Sequence, residues 1–393
     1  MILEINNIDL VGQVFNGFDL HLKLIERGLK AKQLVMEKKS NLDSVIRLKH
    51  DFIQREEIRF LEKRYCVNNV LYPYADALIE MKEFWEADIL HYHFPYHQMF
   101  SLVDYPSIMD NRAVWTIHDP WITTGNCTHA LSCVQWKEEC IKCDRINDDY
   151  FPLETDNVNF MWKTKKEYVR KINPEVIVSS NYMRDLLLQS PITMHFSKIH
   201  VIPFGIEIDK YKRKKRRHKN LRIGFRADDA FLKGCHILYK ALRYVKDKDK
   251  VVLNTVGTGF IPKDIKNVYR VHEYGWINQR EKLIDVLADC DVFVIPSLAE
   301  SFCLMAIEAM AAGCVVICFK NTVVEEIAGG DECSISVKYG DSNELSDVIQ
   351  KLIERKEIIS EKQDRICSYI KRYEINSYVD KHIEVFKSLR LKL

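Results

Sequence analysis

Short apolar runs separated by stretches of helical period recur along most of the chain. Runs at 2–5, 32–36, 88–93, 113–118, 175–179 and 200–204 read as strands, with helical patterns between most of them. The rhythm restarts at 221–225 and continues at 251–256, 269–272, 292–295 and 315–319. Runs that are apolar throughout suit a parallel sheet covered on both faces, because neither face meets water. Alternation of such strands with helices predicts α/β domains wound on both sides of a sheet. Helical patterns at 343–355, 361–372 and 376–388 finish the chain, and 156–172 reads as a helix whose lysines (Lys163, Lys165, Lys166, Lys171) form a solvated face. Ser179-Ser180-Asn181 stands where it can cap the helix that follows the strand at 175–179.

Composition narrows the classes. With 393 residues, 47% hydrophobic and 29% charged, the chain is long enough for two domains with their own cores and is neither disordered nor fibrous. A formal charge of +2 gives no global case for nucleic-acid binding. No apolar run approaches the roughly 18 residues that span a bilayer, and MILEINNIDL lacks the basic-then-apolar order of a signal peptide. The expected location is the cytoplasm, with at most peripheral contact at the inner face of the membrane. Twelve cysteines without a secretory signal read as thiols or metal ligands before disulfides. The basic block 210–219 reads as an exposed connection, with anionic lipid as its second reading.

The chemistry concentrates at 291–320, DVFVIPSLAESFCLMAIEAMAAGCVVICFK. After the strand, Ser301 is placed to cap a helix whose apolar positions Leu304, Met305, Ile307 and Met310 recur at helical spacing, and Gly313 to close it. Unpaired N–H groups of Phe302, Cys303 and Leu304 at the helix start suit a phosphate. An ionised Glu308 offers two acceptors to a vicinal diol such as ribose, and Glu300 lies close by for a second polyhydroxylated group. Arg226 at a strand end and Lys233-Gly234 at a helix start can converge on a diphosphate. Val256-Gly257-Thr258-Gly259 is glycine-rich but has no helix directly after it, so it fails the dinucleotide fingerprint; Tyr274-Gly275 is a candidate border of a base pocket.

E-S-F-x-x-x-x-x-E followed by A-M-A-A-G resembles the E-x7-E signature of the retaining glycosyltransferases of family GT4. The resemblance implies a GT-B fold: two Rossmann-like, doubly wound parallel-sheet domains facing a central cleft. It implies that Glu308 holds the nucleotide ribose, Glu300 sits by the donor sugar, Ser301 to Leu304 cradle phosphate and sugar, and Arg226 and Lys233 bind the donor diphosphate. Cys303 departs from the pattern, since the family usually has Gly there, and Phe204 stands for Asn in a segment, 201–209, that resembles P-N-G-I-D. The T-x-H-D sequence ending in Asp119 resembles the segment that sets a histidine, here His118, against the donor sugar. His93 reads as a polar residue at a strand end, and His91 as pointing to the opposite face. Gly12 matches one glycine of a loop that approaches donor phosphate or acceptor. Cys127, Cys133, Cys140 and Cys143, spaced C-x5-C-x6-C-x2-C, form a candidate structural zinc site, with free thiols or a disulfide as the other reading. The loop around them resembles a subgroup that assembles colanic acid and other polysaccharides.

The layout implied is an acceptor-side domain 1–205 with the Cys-rich loop 121–145, a basic linker 206–220, a nucleotide-sugar domain 221–372, and a helix 373–393 returning to the first domain. The activity implied is transfer of a sugar, with retention, from a nucleoside-diphosphate sugar to a glycan or lipid-linked acceptor, with no catalytic metal. A hydrolase or epimerase of the same fold and a non-catalytic nucleotide-sugar-binding subunit are the competing readings.

Overall fold

The structure, a computed structural model, describes residues 1–10, 17–146, 151–212 and 218–390. They form two units, Met1–Pro203 with Tyr378–Leu393, and Phe204–Ser377.

In the first unit the described residues build a seven-stranded sheet: β1 (Ile2–Ile8), β2 (Ala31–Glu37), β3 (Val45–Arg47), β4 (Ile89–Tyr92), β5 (Ala113–Ile117), β6 (Glu175–Val178) and β7 (Ile199–Val201), in the order β3-β2-β1-β4-β5-β6-β7. All pairings are parallel. Strands β4, β5 and β6 are buried at every position, which is why they are mostly apolar, with His91, Thr116 and Glu175 as the polar exceptions. Helix α1 (Phe18–Glu26) follows β1, and helix α2 (Phe52–Tyr65), capped by the Asp51 carboxylate, follows β3. The Ile375–Arg390 helix supplies Tyr378, Val379, His382, Val385 and Phe386 to the interior of this unit.

In the second unit the described residues form β8 (Leu221–Arg226), β9 (Val251–Val256), β10 (Arg270–Glu273), β11 (Val292–Ile295), β12 (Val315–Phe319) and β13 (Ile335–Val337), all parallel, in the order β10-β9-β8-β11-β12-β13. Counted within the unit this is the 3-2-1-4-5-6 order of a Rossmann sheet, and it reverses between β8 and β11. Residues 213–217 of the basic block lie outside the described residues. Just before them Ile206, Ile208 and Tyr211 are buried, so the start of the presumed linker packs into this unit.

One expectation fails in the first unit. Of the four lysines on the Val158–Val169 helix, Lys165 is fully buried. Its Nζ donates to the carbonyls of Trp121 (2.6 Å) and Thr124 (3.1 Å) and lies 3.5 Å from the centre of the Trp121 ring. The ammonium thus clasps the turn after β5, satisfied by carbonyl oxygens and an aromatic face rather than by water. Lys165→Met should leave both carbonyls without that donor and lower stability by about 2–4 kcal/mol. Exposed Lys163→Met should change it by less than about 0.5 kcal/mol. Urea unfolding followed by tryptophan fluorescence makes the comparison, and equal midpoints would remove the clasp.

Candidate functional site

The reversal between β8 and β11 is where an open parallel sheet offers its ligand crevice. β8 ends at Arg226, and the turn after it leads to Lys233 and Gly234. Gly234 has φ +67°, and a Cβ there would stand 1.8 Å from the Pro296 carbonyl oxygen, so only glycine lets this turn lie against the end of β11. That contact delivers Lys233 to Glu300, with Nζ donating to Oε1 at 2.7 Å, while the Ser297 hydroxyl donates to the same oxygen at 3.0 Å. Arg226 remains exposed, 3.1 Å from Asp228 and over the Trp276 ring at 5.5 Å. An exposed pair of this kind is worth about 0–1 kcal/mol, so little holds the guanidinium from an arriving anion.

The glycine-rich stretch has a packing role beside Arg226. A Cβ on Gly259 would fall 2.3 Å from the Asp228 nitrogen, and the Gly259 N–H donates to Ala227 O at 3.0 Å. Gly257 N–H donates to Gly275 O at 2.8 Å, tying Tyr274, Gly275 and Trp276 to the same loop. The segment pinned by these contacts carries the indole that stacks on Arg226.

The mouth of the next helix differs from expectation. The helix runs Leu304–Ala311, and its cap position is Cys303, at φ 81° and ψ 79°, with no side-chain cap. Ser301 is buried two residues upstream and is not the cap. A left-handed backbone costs a residue with a Cβ about 1–2 kcal/mol. That accounts for glycine at this position in the family resembled. Burial raises the Cys303 thiol well above its ordinary range, so it is a neutral, small apolar group. Phe302 points its ring into the core against Phe204 (5.1 Å) and Tyr373 (6.0 Å), both edge to face. The Asn-to-Phe departure at 204 thus supplies the partner for Phe302. Leu304 is half-buried at the first helical position.

Glu308 is half-buried further along the helix and accepts from the Tyr211 hydroxyl at 2.7 Å. Burial raises its carboxyl above the usual range, against the pull of Tyr211 and Arg280. Neither Tyr211 nor Ser297 was singled out in the sequence. Tyr211 lies inside the basic run that reads as linker, whereas Ser297, three residues before Glu300, is a signal that was available.

In the first unit, His118 follows β5 and is 3% exposed. Its Nε2 is hydrogen-bonded to His93 Nδ1 at 3.1 Å, and its ring stacks on Phe94 at 4.5 Å. Burial, then the neighbouring His93, holds the imidazole well below its ordinary range, so it is neutral at physiological pH. His91 does not point away: two residues apart on an extended chain, His91 and His93 share a face, with ring centres 4.2 Å apart. Gly12 lies outside the described residues. Among the described residues, the set that brings three or more His, Cys, Asp or Glu ligand atoms within 4.8 Å of one another is Glu4, His91 and His93. Cys127, Cys133, Cys140 and Cys143 do not form such a set, and none of the four is in a disulfide. Cys140 and Cys143 pack around Cys66, Leu153 and Val158, and burial pushes the Cys140 thiol up to about 11. That apolar cluster and Lys165 hold the loop from two sides.

Comparison with known proteins follows the same division. Residues 222–355 match the family described as "Glycosyl transferases group 1". The chain is similar to an MMP alpha-(1->4)-mannosyltransferase of Mycolicibacterium hassiacum, 29% identical over 48% of this chain and 47% of that protein. It is also similar to the putative colanic acid biosynthesis glycosyl transferase WcaC of Escherichia coli, 26% identical over 56% of this chain and 54% of that one. The chain thus spans about half the length of the curated relatives it matches. The fold is that of the Anabaena protein Alr3699/HepE, solved with UDP (TM-score 0.69, 16% identity, 98% of this chain and 99% of that one) and also with UDP-glucose. The family match thus lies over the second unit, whose residues 222–355 are those of a group 1 glycosyltransferase, and the fold likeness runs over the chain, which has the two-sheet fold of the GT-B glycosyltransferase structures.

Proposed function

We propose that this protein is a retaining hexosyltransferase that moves a sugar from a nucleoside-diphosphate sugar to a glycan or lipid-linked acceptor in cell-surface polysaccharide biosynthesis. The observation that carries the reading is the Lys233–Glu300 pair at the β8/β11 reversal, 2.7 Å long, with Arg226 at the end of β8. Two cations next to a helix start suit the negative charge that develops on a departing nucleoside diphosphate. Glu300, placed by Lys233 and Ser297, is the second unit's residue proposed to orient the donor sugar, and His118 is proposed as the catalytic residue of the first unit. Glu308 is proposed to take the ribose hydroxyls with the oxygen that Tyr211 does not occupy.

The donor is supported by the relatives: the Anabaena protein is solved with UDP-glucose, and the named curated relatives are a mannosyltransferase and a putative colanic acid enzyme. A second reading, nucleotide-sugar binding without turnover, draws on the depth of His118, which is 3% exposed with Nε2 already bonded to His93. Product formation separates the two.

Peripheral contact with an anionic membrane is proposed from α2. Phe52, Ile53, Phe60 and Tyr65 are 63%, 68%, 69% and 64% exposed, beside the bases Arg59, Lys63 and Arg64 and the acids Glu56, which is paired with Arg59, and Glu57. A face of that kind suits the headgroup boundary. Among the described residues no helix is long and apolar enough to cross a membrane.

The donor should be identified by the thermal shift it causes across a panel of nucleoside-diphosphate sugars, since a ligand at 100 times its Kd adds about 2.7 kcal/mol to the native state. Arg226→Ala and Lys233→Ala should each lower turnover about 100-fold or more with an unchanged circular-dichroism spectrum. Near-normal rates in both variants would overturn the assignment.

A pH dependence follows from Glu308. Its raised carboxyl takes up a proton at a higher pH than an ordinary carboxylate, and the protonated form is a poorer acceptor for ribose. Donor affinity should therefore fall as pH drops, beginning above the usual carboxylate range, and Glu308→Gln should bind more weakly with a flatter profile. Calorimetric titration of the nucleotide sugar at several pH values tests this, and parallel profiles would refute it.

For α2, the pair Ile53→Ser and Phe60→Ser should reduce co-flotation with vesicles containing anionic lipid while leaving donor binding intact. Unchanged flotation would end the membrane assignment to this helix.

A further inference from the structure

The first sheet reverses between β1 and β4, and at that seam a charged residue is buried among histidines. Glu4 on β1 and His91 on β4 are register partners on adjacent parallel strands, and His93 follows two residues later on the same face. Glu4, His21, His91 and His93 are all fully buried. Glu4 Oε2 lies 3.1 Å from His21 Nδ1, and Glu4 Oε1 lies 3.6 Å from His91 Nδ1 and 3.6 Å from His93 Nε2.

These separations are short, yet they are not hydrogen bonds. Both Glu4 oxygens, His21 Nδ1, His91 Nδ1 and His93 Nε2 are buried without a hydrogen-bond partner. Lone pairs and ring nitrogens that converge on one point, without N–H groups aligned between them, describe a coordination shell better than an acid–base pair. Ligand atoms about 2.0–2.1 Å from a tetrahedral zinc stand roughly 3.3 Å apart. The two 3.6 Å contacts to Glu4 Oε1 lie close to that spacing, and the ligand atoms of Glu4, His91 and His93 all lie within 4.8 Å of one another.

The outer ring nitrogens carry the second argument. His91 Nε2 is 2.8 Å from the Thr116 hydroxyl, His21 Nε2 is 3.0 Å from the Ser44 hydroxyl, and His93 Nδ1 is 3.1 Å from His118 Nε2. An N–H on each outer nitrogen leaves the inner nitrogen as a lone pair aimed at Glu4, which is the arrangement that orients metal-bound imidazoles. Gly17 adds a packing condition. It has φ +76°, and a Cβ there would sit 2.3 Å from His93 Nε2, so α1 begins this close to the ring only with glycine. A carboxylate buried with unsatisfied oxygens is costly, and a divalent cation supplies the positive charge the pocket lacks.

We propose that Glu4, His91 and His93 bind one divalent transition-metal ion, zinc by the chemistry of two imidazoles and one carboxylate, as a structural site joining β1 and β4, with His21 of α1 set against the other oxygen of Glu4. The ion's work is to fix the seam of the sheet and, through His93, the ring of His118. The site lies within the first unit and shares no residue with the donor groups Arg226, Lys233, Glu300 and Glu308. It therefore stands or falls independently of the proposed transferase activity.

The test uses the full chain, purified without added metal, then stripped with chelator and titrated with Zn2+ or Co2+ alone. One equivalent per chain is expected, with a rise in melting temperature and a cobalt spectrum of tetrahedral type without thiolate charge-transfer bands. Replacing Cys127, Cys133, Cys140 and Cys143 by Ser should leave that stoichiometry unchanged. Glu4→Gln or His91→Gln should weaken zinc binding more than about 100-fold. Should those variants fail to fold, the cobalt spectrum of the unmodified chain still reports its ligand set. No retained metal and no thermal shift with a natively folded chain would overturn the proposal in favour of a plain histidine–carboxylate cluster. Loss of the ion in the cysteine variants, or thiolate bands in the cobalt spectrum, would overturn it in favour of the loop.

Discussion

Where the order of a parallel sheet reverses, two adjacent strands send their connections to opposite faces, and the space beyond their carboxyl ends is left uncrossed. In the second unit that space lies beyond β8 and β11, and Arg226, Lys233, Ser297 and Glu300 stand within a few residues of those two ends. What sets their spacing is a backbone contact. With Gly234 against the Pro296 carbonyl, the turn after β8 lies on the end of β11, and the ammonium of Lys233 meets the carboxylate of Glu300. Any side chain at 234 forces the two strand ends apart. The ion pair, the placement of Glu300 and the approach of a diphosphate to Lys233 all rest on that one missing methyl.

Two of the charged side chains buried in the first unit are accommodated in opposite ways. Lys165 is satisfied in full: two carbonyls receive its protons and the Trp121 face takes the rest of the charge. Burial there is stabilising because no donor is left over. Glu4 is the reverse case, with two oxygens surrounded by imidazole nitrogens and no hydrogen bond formed. A buried anion left so costs several kcal/mol unless a proton or a metal ion is shared with it. The same physical rule that explains the lysine therefore makes the glutamate a question, and the aligned outer nitrogens of His21 and His91 narrow the answers.

Much of the fold was legible because buried parallel strands are written as largely apolar runs, unbroken in β11 and β12. β3 and β13 were not, since three residues are too few to show a period. The donor residues were legible through the spacing of Glu300 and Glu308 and through Lys233-Gly234. What sequence alone missed depends on tertiary placement. Nothing in a lysine-rich helix says which lysine faces inward, so Lys165 read as solvated. The four loop cysteines looked like ligands by count, but two of them are spent on an apolar cluster with Cys66, which lies far away in the chain. His91 was set aside although the two-residue repeat of a strand places it with His93, and Glu4 between the apolar Leu3 and Ile5 of β1 was a signal left unused.

Cys303 shows how the turn constrains the residue rather than the reverse. The chain must bring Phe302 down onto Phe204 and Tyr373 and then start a helix at Leu304, and one residue is available for the change of direction. That residue takes the left-handed conformation at a cost of about 1–2 kcal/mol when it carries a side chain. Glycine avoids the cost; cysteine offsets part of it by burying a small apolar thiol that stays protonated. The turn persists with the less suitable residue, so it is demanded by its neighbours. Phe204 is one such neighbour, its ring packing edge to face on Phe302 just before the turn. The two departures from the family pattern, at 204 and 303, are thus linked through one aromatic contact, and both leave the direction of the helix axis, and hence its N–H groups, where a phosphate can use them.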